Sequence, residues 1–177
     1  MKTNIFLLIL LMLSTSVQLS AQDSFQAFPS EGFKIKCGCK LYSNSMFIQL
    51  VKEQGINNLM AAYICAENEY DPATGVIINI NVYDLSENFQ KISSAYHEYF
   101  IRRTLEKYAE NLSQAGIHYE YINFQGGSAL EYNFIQNDMP RKALYFFRNQ
   151  RNYLLQVGSR TGLAQKYSDL KNSFVAF

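Results

Sequence analysis

Two alternating runs and a helical stripe near the C-terminus carry the clearest pattern in the chain. Ala143, Tyr145 and Phe147 share one face of an extended segment, and Leu144 and Phe146 share the other. After a polar turn at Asn149 to Asn152, Tyr153, Leu155 and Val157 alternate with Leu154 and Gln156. Both faces are largely apolar, and each Å² of apolar surface left in water costs roughly 25 cal/mol, so such a sheet needs cover on both sides. Leu163, Tyr167, Leu170, Phe174 and Phe177 recur at helical spacing and predict one cover, a C-terminal helix with Thr161 as its N-cap. On the outer side of that helix Lys171 reads as a surface residue, and its replacement by Ala is expected to cost less than about 0.5 kcal/mol.

The same reading extends upstream. Phe33, Ile35, Cys37, Cys39 and Leu41 alternate with Lys34, Lys36, Gly38 and Lys40, the pattern of a strand with one basic, wet face. Ser45 to Gln54 fits one or two helical turns or an extended run. Leu59 to Ala66 and Val76 to Val82 form a hairpin joined by an acidic loop, Glu67 to Gly75. A long helix starts near Ser93 or Ser94 with Tyr96, Phe100, Ile101, Leu105, Tyr108, Leu112 and Ala115 inward, and Gly116 closes it as a left-handed C-cap. Then follow a strand at Ile117 to Phe124, a Gly126-Gly127 turn, a strand at Ala129 to Ile135 with Leu130, Tyr132 and Phe134 inward, and a loop carrying Asp138-Met139-Pro140. The short connections favour antiparallel order.

Ala129, Glu131-Tyr132 and Phe134, then Tyr145-Phe146-Phe147, Tyr153-Leu154-Leu155 and Tyr167 with Leu170-Lys171-Asn172-Ser173-Phe174 give the C-terminal half a pattern that resembles the PsbP-like superfamily, which includes bacterial DcrB-like lipoproteins. The resemblance implies an α+β fold, an antiparallel β-sheet with helices on both faces as an α-β-α sandwich, and it implies no catalytic residues. Cys37-x-Cys39 and the lack of a lipid-anchor cysteine depart from that group.

The first residues change the picture. Lys2, the apolar run Ile5 to Leu13 and the polar lead to Leu19-Ser20-Ala21 read as a secretion signal over residues 1–21, too short an apolar run for the ~20 residues that span a bilayer. Residues 22–177 are then one soluble, exported α+β domain, periplasmic or secreted from a bacterial cell, with no integral membrane segment. Of 16 Lys and Arg only Lys2 falls in the signal, so the remainder balances the 15 acids. Such neutrality argues against nucleic acid, whose binding rests on clustered basic charge.

In an exported chain Cys37, Cys39 and Cys65 point to one disulfide and one odd thiol. Cys37 and Cys39 lie two apart on one strand face, roughly 6.5 to 7 Å between Cα atoms and at the long limit for a bridge, so a bond from either one to Cys65 is easier. The spacing of a zinc site and the C-x-x-C of a redox site are both absent. His97 and His118 have no nucleophile near them in sequence, and Gly126-Gly127-Ser128 precedes no helix that could hold phosphate. Glu67, Glu69 and Asp71 lack the spacing of an EF-hand. No catalytic, cofactor-binding or metal set is expected.

The expected role is accordingly a non-enzymatic protein-binding or envelope accessory module whose partner is another envelope or secreted protein. Its 13 Tyr and 13 Phe would supply the contact surface wherever they face outward. A carrier of a small apolar ligand, or a thiol-dependent enzyme using Cys39 or Cys65 with a histidine, are the alternatives. Oligomeric state leaves no signal in the sequence.

Overall fold

Where the alternation is longest, the strands are longest. The computed structural model describes residues 24–67 and 75–177; the expected signal, and Glu69 and Asp71 of the acidic loop, lie outside them. In chain order these residues form β1 (Gln26–Phe28), β2 (Phe33–Ile35), β3 (Tyr42–Ser43), α1 (Ser45–Glu53), β4 (Leu59–Glu67), β5 (Val76–Asp84), α2 (Ser86–Gln90), a 3-10 turn (Ser94–Tyr96), α3 (His97–Gln114), β6 (Tyr119–Phe124), β7 (Gly127–Gln136), β8 (Met139–Arg148), β9 (Arg151–Ser159), α4 (Leu163–Ser173) and β10 (Val175–Ala176). The fold is α+β, built on a seven-stranded sheet of order β3-β4-β5-β9-β8-β7-β6. Every pairing in it is antiparallel.

Alternate residues of each central strand enter different packing clusters. Leu144, Phe146, Tyr153, Leu155 and Val157 pack with Tyr167 and Leu170 of α4 and with Phe174. Leu130 and Phe147 pack with Leu105 and Ala109 of α3, while Tyr132 and Ala143 meet Leu112 one turn further on. Thus α4 and α3 draw on opposite sets of side chains, which is why both sets had to be apolar.

Three tight hairpins fix the register of β6 to β9. Each has two turn residues, Gln125-Gly126, Asn137-Asp138 and Asn149-Gln150, all at positive φ, the arrangement whose twist matches antiparallel strands. The structure therefore corrects two expectations. Met139 and Pro140 belong to β8 rather than to a loop, and Pro140 is tolerated because pairing with β9 begins only at Arg141↔Gly158. Arg151 and Asn152 belong to β9, and buried Asn152 donates through Nδ2 to the Phe146 carbonyl at 2.9 Å.

At the C-terminus α4 begins with Gly162, not Thr161, in the cap position. Phe174 follows the helix in extended backbone, fully buried against Phe33, Phe146 and Tyr153. Phe177 leaves the helical stripe and is exposed, because the chain turns into β10 and pairs with β2. The strand expected over Phe33 to Leu41 shortens to β2, in a separate sheet of order β1-β2-β10, yet Phe33, Ile35, Cys37 and Leu41 are all buried as the alternation requires. Helix α3 spans the expected range. Ile117 N–H reaches Leu112 O at 2.8 Å and Gly116, at φ 70°, closes the end, but Tyr96 and Ala115 point outward. The ambiguous segment after Asn44 is helical, with Asn44 Oδ1 accepting from Phe47 N–H at 3.1 Å.

Candidate functional site

A groove follows the junction of α3 and β6. Its wider part, about 810 Å³, lies between the first turns of α3 and the hairpin ends at Gly126-Gly127 and Asn149-Gln150. Its floor is apolar, from Phe89, Leu105 and Phe147, and His97 and Arg148 stand at its walls. A narrower part of about 430 Å³ continues between Ala109, Ser113 and Tyr119. Glu106 and Tyr121 line both. His97 is held there by the Phe89 carbonyl, 3.2 Å from Nε2, and by edge contact with the Phe89 ring at 4.8 Å.

Around this groove large side chains remain in water. Tyr96, Tyr99 and Tyr121 are each more than half exposed, and the Arg102 guanidinium lies 5.4 Å from the Tyr99 ring centre. Beside them runs the free edge of the sheet: among the described residues β6 pairs with β7 alone. Tyr119 and Tyr121 point toward α3 from that edge, as their register with Tyr132 and Leu130 requires.

The cysteines lie elsewhere, in a cleft of about 820 Å³ lined by Cys37, Cys39, Lys36, Ile78, Lys166 and Leu170. Cys39 and Cys65 form a disulfide across a Cα separation of 6.1 Å, the pairing toward Cys65 that sequence geometry favoured. Cys37 is the free thiol and is buried. It donates to Cys39 O at 3.1 Å, and Gln26 Nε2 donates both to Cys37 Sγ at 3.3 Å and to Cys39 O at 2.8 Å. Burial pushes the Cys37 thiol up, only partly opposed by the Cys39 backbone and the Gln26 side chain, which disfavours a reactive thiolate. Neither histidine lines this cleft: His97 belongs to the groove at α3, and His118 is exposed. The cysteine and histidine of the enzymatic alternative are thus not brought together, and Cys39 and Cys65 are both consumed in the bridge.

Two polar clusters escaped the sequence. Lys166 Nζ lies 2.8 Å from Ser159 Oγ, a nucleophile and amine in contact, but Ser159 is 1% exposed and its hydroxyl reaches Gly75 O at 3.0 Å and Thr161 O at 2.9 Å. That geometry latches the end of β9 rather than meeting a substrate. Between β7, β8 and α4, Glu131 receives Lys142 at 2.6 Å, Lys171 at 2.8 Å and the Tyr167 hydroxyl at 2.7 Å. Burial by itself would raise the Glu131 carboxyl, but the hydrogen bonds from Lys142, Lys171 and Tyr167 outweigh it and hold the group down at about 2. Lys171 is therefore a partner of a shielded carboxylate, not the free surface residue expected. The alternation of β7 offered the one available signal, since Glu131 occupies a position facing an apolar helix stripe.

Among the described residues no group of His, Cys, Asp and Glu is placed to hold a metal, and no helix is long and apolar enough to cross a membrane. No family model matches the chain, and neither does any curated protein. A solved structure, that of PA94, a Pseudomonas aeruginosa protein of unknown function, is similar over 60% of this chain and 74% of its own at 15% identity with a TM-score of 0.37, a likeness that carries no argument.

Proposed function

We propose that the chain is an exported, non-enzymatic protein-binding module whose contact surface is the β6 edge and the adjoining α3 groove. The observation that carries this reading is a free sheet edge beside a partly apolar groove lined by exposed Tyr121, with exposed Tyr96 and Tyr99 next in the chain to its lining residues His97 and Glu98. An extended segment added to β6 would satisfy its open backbone groups, while every second side chain of that segment would turn toward the groove. Tyrosine and arginine are the residues that most often anchor such contacts. Tyr119 to Phe124 contains neither proline nor lysine to blunt the edge, and its one charged side chain is Glu120. Export agrees with the leader pattern and with the Cys39–Cys65 bridge, which oxidising compartments allow to persist. Membership in the PsbP-like group belongs to the same reading and supplies architecture without chemistry.

The test is crosslinking in envelope extract of the producing cells, followed by identification of the attached chain. The same partner should attach to the native protein and to a Lys52→Glu control on exposed α1, and be lost from Tyr121→Lys, which places a charge on the edge. Equal attachment by Tyr121→Lys, or no protein attached to the native chain, overturns the proposal.

A further inference from the structure

Arg141 enters none of the ion pairs among the described residues. It lies in a cross-strand row, Phe134–Arg141–Gly158–Ile77, on the side of the sheet that α3 packs against. Leu112, near the end of α3, meets the preceding row at Tyr132 and Ala143. Arg141 is only 6% exposed, and its Nε has no hydrogen-bond partner. The acidic groups engaged in ion pairs among the described residues, Glu87, Glu106 and Glu131, pair with other bases. Burial also draws the guanidinium down from its usual range.

The neighbours are arranged around this side chain. A Cβ on Gly158 would stand 2.9 Å from Met139 Sδ, 3.2 Å from Arg141 Cγ and 3.4 Å from Arg141 Nε, so glycine at that position keeps the floor clear for the arginine stem. Phe134 and Ile77, half-buried, flank it along the row, and the half-buried amides of Gln156 and Asn79 lie in the next row of the same face. A buried cation without an anion is a costly arrangement, and a bound anion removes the cost. A guanidinium offers a planar fork that matches a carboxylate, and none of these neighbours carries the second positive charge a phosphate dianion would call for.

We propose that the Arg141 end of this sheet face binds a carboxylate bearing an apolar chain, the carboxylate on the guanidinium fork and the chain along Phe134 and Ile77. The site is separate from the β6 groove and does not rest on the protein-binding reading.

Octanoate is the probe, titrated calorimetrically into the purified protein with thermal unfolding followed in parallel, and octanol and acetate are the controls. Octanoate should bind and raise the unfolding temperature, whereas octanol, lacking the charge, and acetate, lacking the chain, should each bind at least about tenfold more weakly. Arg141→Met should lose the octanoate response while unfolding at the same or a higher temperature, since it removes an uncompensated charge and keeps an apolar stem. Arg141→Lys, which keeps the charge and loses the fork, should bind more weakly than the native protein, and it decides between the outcomes if the Met variant does not fold. No octanoate binding by the native protein, equal binding of octanol, or native affinity in both variants overturns the proposal.

Discussion

Glu131 shows how one side chain can change the pH range over which a fold holds. Its carboxyl, held at about 2 in the folded protein, returns to about 4.3 when the chain unfolds, so the unfolded state takes up a proton first as pH falls. The stability it contributes is fully present above about pH 5 and is lost progressively as pH falls through 4 toward 2. Urea midpoints measured across that window should decline for the native protein and decline less steeply for Glu131→Gln; parallel curves would show that the cluster does not set the acid limb. Lys171→Ala leaves Lys142 and Tyr167 in place and should cost about 1 to 2 kcal/mol, the scale of a shielded hydrogen bond to a charge. A cost below about 0.5 kcal/mol would restore the surface reading of that residue. The disulfide acts at the same scale. Cys39 and Cys65 stand 26 residues apart, and closing a loop of that length is worth roughly 3.5 kcal/mol in the chain-entropy model, so Cys65→Ser should lower the urea midpoint clearly. A midpoint unchanged by that substitution and by reductant would mean that the bridge does not constrain the unfolded chain.

At the level of elements, the C-terminal segment separates helix phase from burial. Phe174→Ala should cost about 3 to 5 kcal/mol, since the ring is enclosed by Phe33, Phe146 and Tyr153, whereas Phe177→Ala, on an exposed ring, should stay within about 0.5 kcal/mol. Similar denaturation midpoints for the two would contradict the placement of β10. Strands β7 to β9 are legible in the sequence because their alternation is sustained on both faces, and α3 is legible because its stripe runs through several turns to a glycine cap. The hairpin ends escape such patterns for a definite reason. Asn137-Asp138 and Asn149-Gln150 take positive φ without glycine, and Pro140 sits in a strand at a position where pairing with β9 has not begun. The groove is not legible, since it arises where α3 approaches β6 and no local pattern encodes that approach. The Glu131 cluster stays hidden for the same reason, with Lys171 lying 40 residues further along the chain.

For the whole molecule, the tyrosines set the alkaline limit. Burial pushes Tyr108, Tyr132, Tyr145 and Tyr167 upward, and the 2.7 Å contact between the Tyr108 and Tyr132 hydroxyls spans helix and sheet, so these phenols remain protonated while the fold stands. In the unfolded chain each ionises near 10. The native state then holds more protons than the unfolded one at high pH, and stability, intact below about pH 10, falls as pH rises beyond it. Each such group contributes a slope of about 1.4 kcal/mol per pH unit once the unfolded phenol is fully ionised. Four together can exhaust a typical stability of about 5 to 15 kcal/mol within roughly one to three units. The expected result is a cooperative transition between about pH 11 and 12.5, in which tyrosinate absorbance rises as a step at the same pH where circular dichroism of the sheet is lost. A smooth rise of absorbance to its full value with the dichroism intact would show that these four tyrosines open to water without unfolding, and would remove them from the set of contacts that hold the domain together.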